Sequence, residues 1–70
     1  MKRLSGRVAV VTGAGSGIGR ATSLALAERG CSIAVVDVQR DGAEETADLI
    51  RSLGTRASVH VADVRDPKRM

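Results

Sequence analysis

The glycine-rich segment at residues 12–19, TGAGSGIG, constrains the fold of this chain more than any other feature. Residues 7–12, which lead into it, are short and rich in valine, so they predict a β-strand. Residues 18–29 are rich in alanine and leucine and precede Gly30, a residue type that commonly follows a helix end, so they predict an α-helix. The glycines between them indicate a tight turn that requires positive φ angles or close backbone approach.

Two further strands are predicted at residues 32–36 and 56–61, and Asp37 closes the first of them. The continuous apolar character of residues 7–12 and 32–36 is typical of parallel strands that helices cover on both faces. The first helix carries apolar residues around most of its circumference, so we expect it to be largely buried.

A second helix is predicted to begin at Asp41, which can act as its N-cap, and to end at Gly54. Its apolar residues recur at spacings of four, three and three, which places them on one face: Ala43, Ala47, Ile50 and Leu53. Asp66 and Pro67 have the pattern of an N-cap followed by proline at the first helical position, so a third helix is predicted to begin there.

This alternation of strands and helices predicts an α/β fold. Right-handed crossovers between parallel strands place the three short strands in the spatial order 3-2-1. We therefore expect residues 1–70 to form the amino-terminal βαβαβ half of a Rossmann-type, doubly wound parallel sheet. In this interpretation they are part of a single dinucleotide-binding domain, and its carboxy-terminal half is absent.

Composition and charge exclude several functional classes. The formal net charge is +3, but the arginines are scattered among acidic residues, so we expect them to be solvated. The chain also has no aromatic residue on which a nucleic-acid base could stack, so nucleic acid is not an expected partner. Cys31 is the only cysteine, so no disulfide can form within the chain and a reducing, cytoplasmic location is expected. No signal-peptide or membrane-span pattern occurs in the sequence, so a membrane is not an expected partner either.

The spacing of the glycines identifies the type of turn. A G-x-G-x-x-G pattern fails in either register, because Ile18 or Arg20 falls where the last glycine belongs. The pattern that fits is T-G-x-x-x-G-x-G, with Gly13, Gly17 and Gly19. Placed between a strand and a helix, this pattern resembles the short-chain dehydrogenase/reductase family.

Such a turn is expected to hold the pyrophosphate of a dinucleotide. Glycines allow the backbone to approach the anion, and the start of the helix supplies free N–H groups and the positive end of its dipole. The residues predicted to bind the cofactor here are Gly13, Ser16, Gly17, Ile18 and Gly19.

Asp37 is predicted to select NAD. It lies 18 residues beyond Gly19 at the end of a strand, where a carboxylate can accept hydrogen bonds from both adenosine ribose hydroxyls. Its charge repels a 2′-phosphate by about 1–2 kcal/mol after hydration, which favours NAD over NADP roughly tenfold. Family members that prefer NADP usually carry a basic residue where this chain has Ser16 or Val38. Arg40 in the same loop keeps NADP open as an alternative.

The resemblance assigns the end of the third strand to the adenine. Asp63 is expected to accept a hydrogen bond from the exocyclic amine, and Val64 to contact the ring or bond through its backbone. The glycine turn, Asp37 and Asp63 all follow the carboxyl ends of strands, where open α/β sheets bind their ligands.

The resemblance also implies an oxidoreductase that interconverts an alcohol and a carbonyl by hydride transfer to NAD. The family uses a catalytic tyrosine, a lysine four residues later, a nearby serine and often an asparagine. This chain has no tyrosine and no asparagine, and its lysines are Lys2 and Lys68. No catalytic residue is therefore assigned, and the 70-residue segment is expected to be inactive on its own. The complete protein is expected to be a homo-oligomer that acts on a small alcohol or carbonyl substrate.

Other functional classes use the same kind of nucleotide-binding turn and strand ends. One alternative is a nucleotide-binding module or a truncated remnant without catalytic activity. Another is the S-adenosylmethionine-binding half of a methyltransferase, whose glycine loop normally has a different pattern.

Cys31 is predicted to be a buried packing residue and His60 a solvent-facing strand residue. A solvated helix face, with no metal site, is predicted for Glu44, Glu45 and Asp48.

Overall fold

The computed structural model describes residues 4–63 of the chain. The elements in chain order are β1 (Val8–Thr12), α1 (Gly17–Glu28), β2 (Ser32–Asp37), α2 (Arg40–Ser52) and β3 (Ala57–Val61). Each strand and helix predicted within these residues is present, with ends that shift by a residue or two. The helix predicted to begin at Asp66 and Pro67 lies outside the described residues, and so does Val64. No helix within residues 4–63 is long and apolar enough to span a membrane.

The three strands form a parallel sheet in the order β1-β2-β3. This is the predicted order 3-2-1 counted from the other edge, so the predicted α/β fold and its sheet topology are confirmed. Parallel pairing in register lines up one row of side chains across the sheet at Ala9, Ile33 and Ala57.

The hydrophobic core lies between this row, the next row of the same face, and the two helices. Alanines on the helices allow close packing against β-branched residues of the central strand. The buried members of this core are Ala14, Ala27, Cys31, Ile33, Val35, Ala43, Ala47 and Ile50. The predicted inner face of α2 is thus confirmed, except for Leu53, which is 41% exposed beyond the last turn.

The opposite face of the sheet is open within residues 4–63. Val8 and Val10 are 70% and 69% exposed, so the prediction that β1 is buried on both faces is wrong. Both helices cover the same face, and alternate residues of β1 point away from it. The prediction that α1 is largely buried is also wrong, because only Ser23 and Ala27 of this helix are buried. Leu24 and Leu26 pack partly against the core, and the outer face of α1 is exposed.

The start of α2 differs from the sequence prediction. Gln39, not Asp41, is the N-cap residue, and no side chain of residues 4–63 caps this end. The backbone N–H of Gln39 donates to the side chain of Asp37 at 3.0 Å, so Asp37 fixes the turn that leads into the helix. Asp41 lies in the first turn, where its negative charge stabilises the helix through the helix dipole.

Candidate functional site

A cleft of about 370 Å³ lies at the carboxyl ends of the strands. The end of β3 is tied to β2 by a hydrogen bond from the Ala62 N–H to the Asp37 carbonyl, at 3.0 Å. The cleft is lined by residues at or just beyond the carboxyl ends of the three strands: Thr12, Gly13, Val36, Asp37, Val38, Ala62 and Asp63. The structure therefore brings three predicted site residues, Gly13, Asp37 and Asp63, to one opening.

The glycine turn has the conformation that its glycines predict. Gly13 and Gly17 have φ angles of +66° and +57°, which residues with a side chain rarely adopt. At Gly19, a Cβ atom would overlap the carbonyl oxygen of Gly13, so only glycine lets α1 start this close to the turn. The turn is tied to the sheet by the Ala14 N–H, which donates to the Val36 carbonyl at 3.1 Å.

The start of α1 faces solvent. Ser16 is the N-cap residue in an extended conformation, and Ser16, Gly17 and Ile18 are all exposed. Within residues 4–63, no side chain caps this end, and the first turn of α1 contains no acidic residue. An uncapped helix N-terminus presents N–H groups and a partial positive charge, which together favour an anion.

Asp37 connects the second strand to the glycine turn. Its Oδ2 accepts a hydrogen bond from the Gly15 N–H at 2.8 Å, and its Oδ1 accepts one from the Gln39 N–H at 3.0 Å. These bonds, the one from Gln39 foremost, hold the pKa of the Asp37 carboxyl below its ordinary value. Asp37 is therefore a carboxylate at neutral pH, and each oxygen retains acceptor capacity for a further donor.

Gly15 was not among the predicted binding residues, although the structure gives it a clear requirement for glycine. A Cβ atom there would lie 2.8 Å from the Asp37 Oδ2 and 3.1 Å from the backbone nitrogen of Ala43. At Gly42, a Cβ atom would lie 2.8 Å from the Gly15 carbonyl oxygen. Gly15 and Gly42 thus allow the glycine turn and the first turn of α2 to pack backbone against backbone.

Arg20 and Thr46 were also missed by the sequence predictions. The scattered arginines were expected to be solvated, but the Arg20 side chain is only 25% exposed and bonds to the Gly15 carbonyl at 2.6 Å. Its Nε donates to the Thr46 Oγ1 at 2.9 Å, and the Thr46 hydroxyl donates to the Ala14 carbonyl at 2.8 Å. Thr46 lies between Ala43 and Ala47 on the inner face of α2, and a polar residue in that stripe was the available signal.

The remaining sequence candidates lie away from the cleft. Cys31 is buried, as predicted, and its thiol contacts the carbonyls of Arg7 and Ser32. His60 is exposed, as predicted, and its Nε2 lies 2.9 Å from the Ser58 Oγ. The part of the chain from residue 4 to residue 63 contains no group of three or more His, Cys, Asp or Glu side chains placed to hold a metal ion.

The sequence matches the family model described as short chain dehydrogenase over residues 7–70. Cyclohexanol dehydrogenase of Acinetobacter sp. (strain SE19) is 40% identical over 68 residues, which are 97% of this chain and 27% of that protein. The chain therefore spans about a quarter of the length of this curated relative.

Solved structures show the same likeness. A structure of NAD⁺-bound xylitol dehydrogenase superposes with a TM-score of 0.92 at 41% identity, over 97% of this chain and 26% of that one. Carveol dehydrogenase from Mycobacterium avium in complex with NAD superposes with a TM-score of 0.87 at 32% identity, over 94% of this chain and 28% of that one.

Proposed function

This chain belongs to the short chain dehydrogenase family, and on that basis we propose that its cleft binds NAD for an oxidoreductase that interconverts an alcohol and a carbonyl. One observation supports this most strongly. The carboxylate of Asp37 lies at the opening of the cleft and is hydrogen-bonded to the glycine turn through Gly15. The carboxylate proposed to accept hydrogen bonds from the ribose and the turn proposed to bind phosphate are thereby held at a fixed separation.

The glycine turn is proposed to bind the pyrophosphate. Its φ angles and the open N-terminus of α1 suit a phosphate that approaches the backbone, as in other dinucleotide folds. No acidic side chain within the described first turn of α1 opposes the anion. The residues proposed to contact it are Gly13, Ser16, Gly17, Ile18 and Gly19.

Asp37 is proposed to bind the adenosine ribose and to favour NAD over NADP. Its lowered pKa keeps it charged, so it can accept hydrogen bonds from two hydroxyls but repels a 2′-phosphate. Arg40, the basic residue considered for NADP, lies 3.7 Å from Glu44, and its side chain is 68% exposed. A guanidinium beside a carboxylate is a weaker phosphate partner than a free one, which supports the preference for NAD.

The far wall of the cleft is proposed to hold the adenine. Asp63 is half-buried there and lines the same opening as Asp37. We assign Asp63 to the exocyclic amine and Val64, the next residue, to the adenine ring.

NAD supplies the hydride acceptor when it is bound, and the residues of this chain bind and orient it. The acid–base group that moves the hydroxyl proton is proposed to lie outside this sequence, which contains no tyrosine. We accordingly propose that the 70-residue chain is inactive on its own. The complete protein is proposed to be a cytoplasmic homo-oligomer with a small alcohol or carbonyl substrate.

Calorimetric titration of NAD⁺ into the protein that carries this sequence tests the proposal. The expected result is saturable binding to one site per chain, with competition by ADP. Absence of NAD⁺ binding in a folded sample would contradict the proposed function.

A further inference from the structure

Arg20 and Thr46 contact the side of the glycine turn that faces α2, and neither lines the cleft. The Arg20 guanidinium reaches four acceptors on two elements. Its Nη2 donates to the Gly15 carbonyl at 2.6 Å and to the Gly42 carbonyl at 3.3 Å. Its Nη1 pairs with Glu45 at 2.6 Å, and its Nε donates to Thr46. The side chain thus joins the turn to the first half of α2.

Because the peptide bond is planar, these contacts also orient the N–H groups on the opposite side of the turn. In a trans peptide unit the C=O and the following N–H point in opposite directions, and residues 4–63 contain no cis bond. Thr46 holds the Ala14 carbonyl, and the Gly15 N–H of the same peptide unit points to Asp37. Arg20 holds the Gly15 carbonyl, so the Ser16 N–H points away from α2.

We propose that Arg20 and Thr46 are positioning residues that orient two consecutive peptide units of the turn, one toward the dinucleotide and the other toward Asp37. Arg20 aims the Ser16 N–H at the pyrophosphate, whereas Thr46 aims the Gly15 N–H at Asp37 and so holds the carboxylate that binds the ribose. This inference rests on the proposed function of the cleft.

The Arg20–Glu45 ion pair is not the part of this network that does the positioning. Glu45 is 66% exposed, and an exposed ion pair contributes little to stability. The carbonyl contacts of Arg20 are partly buried, and hydrogen bonds from a charged donor are stronger than neutral ones. Glu45→Gln therefore provides a matched control, because it removes a charged contact of the same guanidinium and leaves the carbonyl contacts in place.

The test compares ADP with adenosine, which share the base and ribose and differ in the diphosphate. In the protein that carries this sequence, Arg20→Gln is expected to weaken ADP binding about tenfold and to change adenosine binding less than about twofold. Thr46→Val is expected to weaken both ligands, because it releases the bond that orients Gly15 toward Asp37. Thr46→Ser and Glu45→Gln are expected to bind both ligands as the unmodified protein does.

Several outcomes would overturn the inference. Arg20→Gln that binds ADP normally, or that loses ADP and adenosine affinity equally, would show that Arg20 does not orient the diphosphate-binding unit. If the glutamine variant does not fold, Arg20→Lys serves instead. It keeps the charge without the fork of donors, and about a threefold loss for ADP alone is expected. Unmodified protein that binds neither ligand would contradict the proposed function, and the inference with it.

Discussion

The Gly15 N–H donates a 2.8 Å hydrogen bond to the Oδ2 of Asp37, and this contact joins the glycine turn to the end of the second strand across 22 residues of sequence. It fixes the carboxylate at the mouth of the cleft and requires glycine at position 15, because a Cβ atom would collide with the same oxygen. The position of Asp37, the proposed ribose-binding acid, relative to the glycine turn is therefore set by contacts within the protein itself.

Gly19→Ala is expected to abolish NAD⁺ binding. The added Cβ overlaps the carbonyl of Gly13, so α1 must move away from the turn. Gly54→Ala is the control, because Gly54 has a φ of +84° but open space around its Cβ position and lies at the far end of α2. That variant is expected to lose about 1–2 kcal/mol of stability and to keep its affinity for NAD⁺. Equal NAD⁺ affinities for the two variants would contradict the packing role of Gly19.

Protonation of Asp37 in acid is expected to lower the free energy of unfolding. Its pKa is lowered in the folded state, chiefly by the Gln39 N–H and then by the Gly15 N–H. A lowered folded pKa stabilises the protein above the unfolded pKa, and the contribution is lost as pH falls through the folded value. The difference in urea midpoint between unmodified protein and Asp37→Asn should be constant above about pH 5 and shrink below about pH 4. A difference that grows on acidification would contradict the assignment.

The isolated 70-residue chain is expected to associate through the open face and edge of its sheet. Val8 and Val10 lie on that face of β1, which is an edge strand of the described sheet. Exposed apolar edge strands promote association. The double variant Val8→Thr/Val10→Thr should shift the chain toward monomer in sedimentation velocity, whereas Leu49→Ser on α2 should not. A monomeric, unmodified chain with a sharp, cooperative thermal transition would contradict this expectation.

The local features of the site could be predicted because they depend on neighbouring residues. The spacing of Gly13, Gly17 and Gly19 predicts a strand–turn–helix unit, and the end of a strand predicts where Asp37 lies. The contacts of Thr46 could not be predicted in this way, because its bonds to Arg20 and to the Ala14 carbonyl span 26 and 32 residues of sequence.

The open face of the sheet follows from the order of the strands and helices along the chain. Two successive right-handed crossovers in the same direction place both helices on the same face. The alternation of exposed and half-buried residues in β1 follows from that topology. The apolar character of Val8 and Val10 by itself predicts burial on both faces, which residues 4–63 do not provide.

The dissociation constants of NAD⁺ and NADP⁺, measured for unmodified protein and for Asp37→Ser, test the central claim most directly. Asp48→Asn is the control, because Asp48 is an exposed carboxylate of α2 that pairs with Arg51 away from the cleft. We predict that unmodified protein and the control prefer NAD⁺ by roughly tenfold and that Asp37→Ser loses this preference. Tighter binding of NADP⁺ by the unmodified protein, or a preference for NAD⁺ that survives Asp37→Ser, would contradict the role assigned to Asp37.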